Sequence, residues 1–184
     1  MLTELQKVAL VAVARAAVTA AVLGTRRPAP TSAERFPEAS GAFVTLKYGG
    51  HLRGCIGTLE CRQSLVEEVA RVAVSAARED SRFTPIRPPE LDQLHVEVSV
   101  LGPLEEIDAL DPSTIEIGRH GLVVEQGHRR GLLLPQVATE WNWDRETFLA
   151  QTCIKAGLPP RAWLAGARVC RFSATVFGDR IPHP

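Results

Sequence analysis

The sequence has no excess of charge of either sign and few aromatic side chains. Its 184 residues include 21 basic and 21 acidic residues, and only 5% are aromatic. Balanced charge provides no overall attraction to nucleic acid or to an anionic membrane surface. Two local basic clusters exist, Arg26 with Arg27 and residues 128–130. Nucleic-acid binding is the least favoured alternative, because its affinity needs several simultaneous phosphate contacts.

The common sequence signatures of enzymes are also absent. The chain has no P-loop, no Gly-x-Gly-x-x-Gly after a predicted strand, no His-Glu-x-x-His and no Gly-x-Ser-x-Gly. The four cysteines, Cys55, Cys61, Cys153 and Cys170, include no Cys-x-x-Cys pair and no group of three. They predict neither a structural zinc site nor an iron–sulfur cluster, so we expect no metal and no cofactor.

The apolar N-terminal stretch lacks a long uncharged run. Its longest one, residues 16–25, is far shorter than the roughly 20 residues that a membrane span requires. Glu4 and Arg15 interrupt the pattern of a secretory signal peptide. We therefore expect no membrane contact, a cytoplasmic location and reduced cysteines.

What is present is the composition of one globular domain, with 45% hydrophobic and 23% charged residues. A capping box at Thr3 and Gln6 begins a helix that ends at Gly24, and this helix is apolar nearly all round. Such a helix is buried, either against the core or against a partner subunit. Residues 25–40 read as a loop with no period.

Strands dominate the rest of the chain. A Gly49-Gly50 turn predicts an antiparallel hairpin, and the alternation in residues 94–101 predicts a strand. This pattern predicts an α+β fold with a mainly antiparallel sheet packed with helices, as a single domain over 1–184 with its core at about 5–178. The remaining predicted elements are helices at 65–77 and 145–157 and strands at 42–48, 51–58, 114–117, 121–125, 132–134 and 168–177.

The most unusual segment is Leu-Arg-Gly-Cys-Ile-Gly-Thr at residues 52–58. Glycine weakens a strand unless something approaches the backbone closely, so the glycines around Cys55 indicate an approachable backbone. Arg53, two residues away, would share the face of Cys55 and lower its thiol pKa, as a nucleophile requires. A two-residue turn pairs Cys55 with Val44 and Arg53 with Leu46. The alternative is an inert cysteine packed in a strand.

Other polar groups offer weaker candidates. His95, Glu97 and Ser99 share one face of a predicted strand, where they could act as acid, base or ligand or could form a solvated face. Residues 80–83 could form a site or a local ion pair, and His120 could be a turn residue or a site residue. Trp141 and Trp143 indicate aromatic packing, with base stacking as the alternative.

These segments resemble the AMMECR domain family, whose prokaryotic members are called AmmeMemoRadiSam system protein A. The resemblance covers roughly residues 5–178, and the heptapeptide around Cys55 is its most specific part. It includes neither the loop at 25–40 nor Cys61, His51 and His95. The matching segments are 43–46, 52–58, 80–83 with Pro85, 97–101, 120–122, 133–138, 143, 148–149, 153–158 and 163.

The resemblance implies a two-lobed α+β fold, a larger lobe plus a small lobe, with a cleft. It also implies association with a Memo-type protein, similar to extradiol dioxygenases, and with a radical-SAM protein. It supplies no reaction. Radical chemistry would belong to the partner, because this chain has no iron–sulfur ligand set.

Motif positions that only build a core are apolar, whereas several here are polar or reactive. We therefore predict a thiol-dependent enzyme component with Cys55 as nucleophile and His120 or Glu97 as acid or base, acting on an unknown small molecule or peptide. The alternative is a non-catalytic adaptor that docks partners through the first helix and the Trp141–Trp143 segment. The candidate substrate-binding residues are Arg53, Thr58, Asp80 and Arg82.

Overall fold

The computed structural model describes residues 2–27, 36 and 39–179. The chain divides into two compact units, Met1–Leu101 with Thr175–Pro184, and Gly102–Ala174. The last strand contributes residues to both units. Whether the two units amount to one domain stays a prediction, and the predicted loop at 25–40 lies mostly outside the described residues.

In the part of the chain that the structure describes, the first unit contains two α-helices, one 3₁₀ helix and three complete strands. The elements are α1 (Glu4–Leu23), β1 (Gly41–Tyr48), β2 (His51–Thr58), α2 (Leu65–Arg78), a 3₁₀ helix (Pro88–Gln93) and β3 (Leu94–Leu101). Helix α1 begins with the predicted capping box of Thr3 and Gln6, and it ends at Gly24, whose φ of 67° is left-handed. Strand β1 pairs antiparallel with both β2 and β3.

The core of the first unit lies between its helices and one face of its sheet. Val44 and Leu46 of β1 and Val96 and Val98 of β3 are fully buried, and they pack with the apolar faces of α1 and α2. Because side chains alternate along a strand, Thr45, Lys47 and Glu97 lie on the opposite face. The two faces of this sheet therefore have different chemistry.

The β1–β2 hairpin contains an irregularity that the sequence did not predict. Leu46 pairs with Gly54 and Lys47 pairs with Leu52, so Arg53 is an extra residue in β2. Cys55 consequently faces Thr45, and the predicted pairing with Val44 is wrong by one residue. A Cβ on Gly54 would overlap the main-chain carbonyl oxygen of Ala76, so glycine lets α2 approach β2 closely.

The second unit packs short strands against a helix near its C-terminal end. The elements are β4 (Glu105–Glu106), β5 (His120–Gln126), β6 (Arg129–Leu133), α3 (Pro135–Glu140), α4 (Arg145–Lys155) and β7 (Arg168–Gly178). Strand β5 pairs antiparallel with β6 and β7, β4 pairs with β7, and β5 and β6 contact α4. The buried side chains include Leu122, Val124, Phe148 and Val169.

The α+β fold with an antiparallel sheet is thus confirmed, but one predicted strand is wrong. Residues 114–117 form no strand, because Pro112–Thr114 make a 3₁₀ turn that the Asp111 side chain caps. The main-chain N–H groups of Arg119 and His120 then both donate to the Glu116 carbonyl, which closes a turn before β5.

Helix α1 is the one described helix that is long and apolar enough to cross a membrane by length and composition. A helix that packs in a protein core passes the same test, and α1 contacts α2 and β3. This property alone assigns no membrane role.

Candidate functional site

Two side chains hold the main chain of Cys55 at the outer edge of β2. The Cys55 N–H donates to Asp80 Oδ2 at 2.8 Å, and Arg82 Nη2 donates to the Cys55 carbonyl at 3.3 Å. Both polar groups of Cys55 therefore point away from β1. This makes Thr45 and Cys55 a non-hydrogen-bonded pair, the type in which facing side chains come closest.

The sulfur of Cys55 lies against a hydroxyl group. Thr45 Oγ1 donates to Cys55 Sγ at 3.2 Å, and Thr45 itself is buried. Burial raises the pKa of the Cys55 thiol above its ordinary value, and this effect exceeds the lowering by Thr45 and Arg82; Asp80 and Glu97 raise it further. The thiol is therefore protonated at neutral pH, and the predicted lowering of its pKa is wrong.

Asp80 and Arg82 together form a clamp on the main chain of Cys55, and Asp80 makes most of its hydrogen bonds. Its side chain is 5% exposed and accepts hydrogen bonds from Arg82 Nε at 2.9 Å and Arg82 Nη2 at 2.7 Å. These bonds, with the one from the Cys55 N–H, lower the pKa of Asp80 to about 2. The Arg82 guanidinium stays half exposed and lies over the Phe83 ring, 5.4 Å from its centroid.

Arg53 contacts other groups than the sequence predicted. Its Nε donates to Glu90 Oε1 at 2.7 Å and its Nη2 donates to Glu90 Oε2 at 3.2 Å. Its Nη1 donates to the Thr84 carbonyl at 2.6 Å. The bulge and these bonds direct Arg53 toward the loop that precedes β3, so the cation beside Cys55 is Arg82.

Glu97 lies in one cross-strand row with Thr45 and Cys55. Thr45 pairs with Cys55 on one side and with Glu97 on the other. Two strand spacings separate the backbones of Cys55 and Glu97, about 10 Å. Lys47 Nζ donates to Glu97 Oε2 at 3.2 Å and orients the carboxylate. The predicted candidate Glu97 thus shares the face of the thiol.

The other two predicted site residues make local contacts. Thr58 Oγ1 donates to the Glu60 carbonyl at 2.9 Å and accepts from the Glu60 N–H at 3.1 Å, which forms a turn after β2. His120 lies in the second unit, and its Nδ1 accepts from the Glu116 N–H at 3.0 Å. Burial, then Arg171 and Arg119, lower the pKa of His120, so it is neutral with the proton on Nε2.

Sequence reasoning missed Thr45 and Glu90. Thr45 lies in a segment that carried the family resemblance, and the correct register would have placed it beside Cys55. The bulge at Arg53 concealed that register. No sequence signal connects Glu90 to Arg53 across 37 positions.

Nowhere among the described residues, the site included, does the structure place three His, Cys, Asp or Glu side chains to hold a metal ion. His95 Nδ1 lies 2.5 Å from Asp179 Oδ1, and Arg15 also binds Asp179. These contacts anchor the end of β7. In the second unit, Trp141 stacks on Trp143 with ring centroids 6.2 Å apart.

Comparisons with known proteins agree with the fold. Residues 11–177 match the sequence profile of the family described as AMMECR1. A protein of Methanothermobacter thermautotrophicus is 47% identical over 177 residues, 92% of each chain. One of Thermococcus gammatolerans is 52% identical over 155 residues, 79% of this chain and 76% of that one. The crystal structure of the uncharacterized protein PH0010 from Pyrococcus horikoshii has a TM-score of 0.86 and 42% identity, covering 94% of this chain and 91% of that one.

Proposed function

This chain belongs to the AMMECR1 family, and we propose that it is a thiol-dependent component of an AmmeMemoRadiSam-type system. Its reacting group is Cys55. The observation that carries the proposal is the double clamp: Asp80 and Arg82 bind both main-chain polar groups of Cys55. Packing a small apolar residue needs no such clamp, whereas a reacting atom must be held within a fraction of an ångström.

In this proposal Cys55 rests as a protonated thiol and loses its proton only when a substrate or partner is bound. The Glu97 carboxylate, in the same row and bound to Lys47, accepts the proton. The Thr45 hydrogen bond and the Arg82 charge then stabilise the thiolate. The half-exposed Arg82 guanidinium provides a contact for an anionic group of a small molecule or peptide.

The reactivity of Cys55 toward iodoacetamide tests this proposal. For the chain alone, we expect slow alkylation and an apparent pKa above the roughly 8.5 of a free thiol. Adding the Memo-type and radical-SAM partners should accelerate alkylation at neutral pH by at least about tenfold, since the proposal requires activation on binding. Thr45→Val should remove the acceleration, and Thr45→Ser, which keeps the hydroxyl, should retain it.

The proposal is wrong if the partners bind and the alkylation rate stays unchanged in the wild type. Equal acceleration in Thr45→Val and Thr45→Ser would remove the hydroxyl from the mechanism. Cys61, also half-buried, serves as an internal reference in each digest because it lies outside the clamp.

A non-catalytic adaptor is the second candidate, and two observations favour it. The pKa of Cys55 is raised in the resting chain, and Trp141 is 67% exposed on the second unit. Exposed tryptophan is enriched at protein–protein interfaces. For an adaptor, Cys55→Ser should preserve both partner binding and the activity of the assembled system, whereas Trp141→Ala should weaken binding. Loss of activity in Cys55→Ser with binding intact would support the thiol proposal.

Nucleic-acid binding has the least support. Arg129 Nη1 donates to the Gly157 carbonyl at 2.8 Å, and Arg130 lies 3.4 Å from the Glu125 carboxylate. These contacts engage two of the three residues in the cluster at 128–130. The proposed location is the cytoplasm, which is consistent with four free cysteines.

A further inference from the structure

Helix α1 carries a second apolar stripe on the side away from the core. Leu5 and Val8 are 72% and 67% exposed, and Leu23 is 51% exposed. Ala12 is exposed as well, and Ala16 and Thr19 are partly exposed. The spacing of three and four residues aligns the members on one helix face. The outer stripe consists of Leu5, Val8, Ala12, Ala16, Thr19 and Leu23.

The order of residue types along the outer stripe is nearly the same from either end of the helix. Ala12 follows Leu5 by seven residues, and Ala16 precedes Leu23 by seven residues. Two antiparallel copies of α1 therefore place Leu5 against Leu23 of the other copy and Ala12 against Ala16. The alanines at the centre let the helix axes approach to the short end of the usual range, about 8 Å. In a two-fold interface residue i of one copy contacts residue j of the other and j contacts i, and the outer stripe meets this condition with leucine on leucine at its ends and alanine on alanine at its centre.

The charges at the two ends of α1 also favour an antiparallel pair. Glu4, whose side chain is 85% exposed, lies at the N-terminus of the helix. Arg26 and Arg27 are exposed just beyond its C-terminus. An antiparallel pair brings Glu4 of each copy close to the arginines of the other, and it also opposes the helix dipoles favourably. A parallel pair would bring like charges together.

We infer that the outer stripe of α1 is the two-fold interface of a homodimer. The helix is about 30 Å long, so its stripe alone buries less than the roughly 800 Å² per partner of a standard interface. The dimer is therefore of modest affinity and forms in a concentration-dependent way. A membrane-surface helix is the competing occupant. It would carry a strongly basic polar face, whereas the three charged residues of α1 are of mixed sign and already paired: Lys7 with Glu4, and Arg15 with Asp179.

Sedimentation velocity of the full chain over a wide concentration range tests this inference. We expect a monomer–dimer equilibrium with a single dissociation constant. Ala12→Glu places an unpaired carboxylate at the centre of the stripe and should raise that constant by at least about 100-fold. Leu110→Glu, at a 66% exposed leucine of the second unit, is the matched control and should leave the constant unchanged. Circular dichroism verifies that both variants fold.

A charge exchange tests the antiparallel orientation. Glu4→Arg alone should weaken the dimer by about threefold or more, because it faces Arg26 and Arg27 of the other copy. Combining it with Arg26→Glu and Arg27→Glu should restore the wild-type constant. A chain that is monomeric at every concentration overturns the inference, as does a dimer unaffected by Ala12→Glu. Binding of a monomeric chain to phosphatidylglycerol vesicles, lost in Val8→Glu, would assign the stripe to a membrane instead.

Discussion

In both units a glycine lets a helix approach a strand closely, yet among the cysteines of the described residues only Cys55, in the first unit, has charged side chains bound to its main chain. In the first unit Gly54 lies under the main chain of α2, and in the second Gly131 lies under the end of α4 at Ala156. Burial raises the pKa of Cys55 and also of Cys153 and Cys170 in the second unit. Burial and glycine packing therefore do not mark a site by themselves. The main-chain clamp of Asp80 and Arg82 distinguishes Cys55.

The largest expected contrast between the units is the reactivity of their thiols in the folded protein. Cys153 and Cys170 are almost fully buried, so a reagent reaches them only after local unfolding. We expect their alkylation to be at least about 1,000-fold slower than that of the half-buried Cys61. Mass spectrometry of timed digests measures the rates. Fast labelling of Cys153 would show that the second unit opens readily in the folded protein.

Replacing the close-approach glycine by alanine should destabilise both units to the same extent. Gly54→Ala and Gly131→Ala each drive a Cβ into main-chain atoms, and each should lower the free energy of unfolding by about 3 kcal/mol. Gly127→Ala is the control, because its site is open and only its φ of 61° is unfavourable, which costs about 1 kcal/mol. Urea unfolding gives the values. A smaller loss for Gly54→Ala than for Gly127→Ala would contradict the close approach.

The clamp should make the stability of the chain depend on acid. The pKa of Asp80 is about 2 in the folded state, below its ordinary value of about 3.9, so its contribution is present above about pH 4 and lost as the pH falls toward 2. A shift of this size corresponds to about 2–3 kcal/mol. Asp80→Asn should therefore lower the free energy of unfolding by about 2 kcal/mol at neutral pH, with the difference vanishing in acid. Exposed Asp92→Asn is the control. A difference independent of pH would exclude the charge as its cause.

Helix caps should give the smallest effects and equal ones in both units. Ser64 accepts from the Glu67 N–H at the start of α2, and Asp144 accepts from the Thr147 N–H at the start of α4. Ser64→Ala and Asp144→Ala should each lower the free energy of unfolding by about 1 kcal/mol. Thermal unfolding of the two variants checks this, and a threefold larger loss for either would indicate a role beyond capping.

Most of the fold could be predicted from the sequence because the signals that begin and end its elements are local. The capping boxes at Thr3 and Ser64 and the Gly49-Gly50 turn all act over a few residues, and each appears where the pattern indicated. The site was predicted less well, since its geometry depends on distant contacts. Cys55, Asp80, Arg82 and Glu97 lie in the first unit, whereas His120 lies in the second.

The role of Arg53 could not be predicted, because it follows from a single inserted residue. Residues two apart share a face only in a regular strand. The bulge at Arg53 interrupts β2, so Arg53 and Cys55 do not follow this rule. Its partner, Glu90, belongs to no sequence motif and is distant from Arg53 in the chain. The sign of the pKa shift of Cys55 was also beyond the sequence, because it depends on how deeply the sulfur is buried.

The clamp also determines which main-chain hydrogen-bonding groups the edge of the sheet presents to other molecules. In the described sheet β2 is the terminal strand, and such a strand normally presents unpaired N–H and C=O groups that template pairing with a foreign strand. Asp80 and Arg82 occupy these groups at Cys55. The ion pair thus leaves neither main-chain polar group of Cys55 free to pair with a foreign strand.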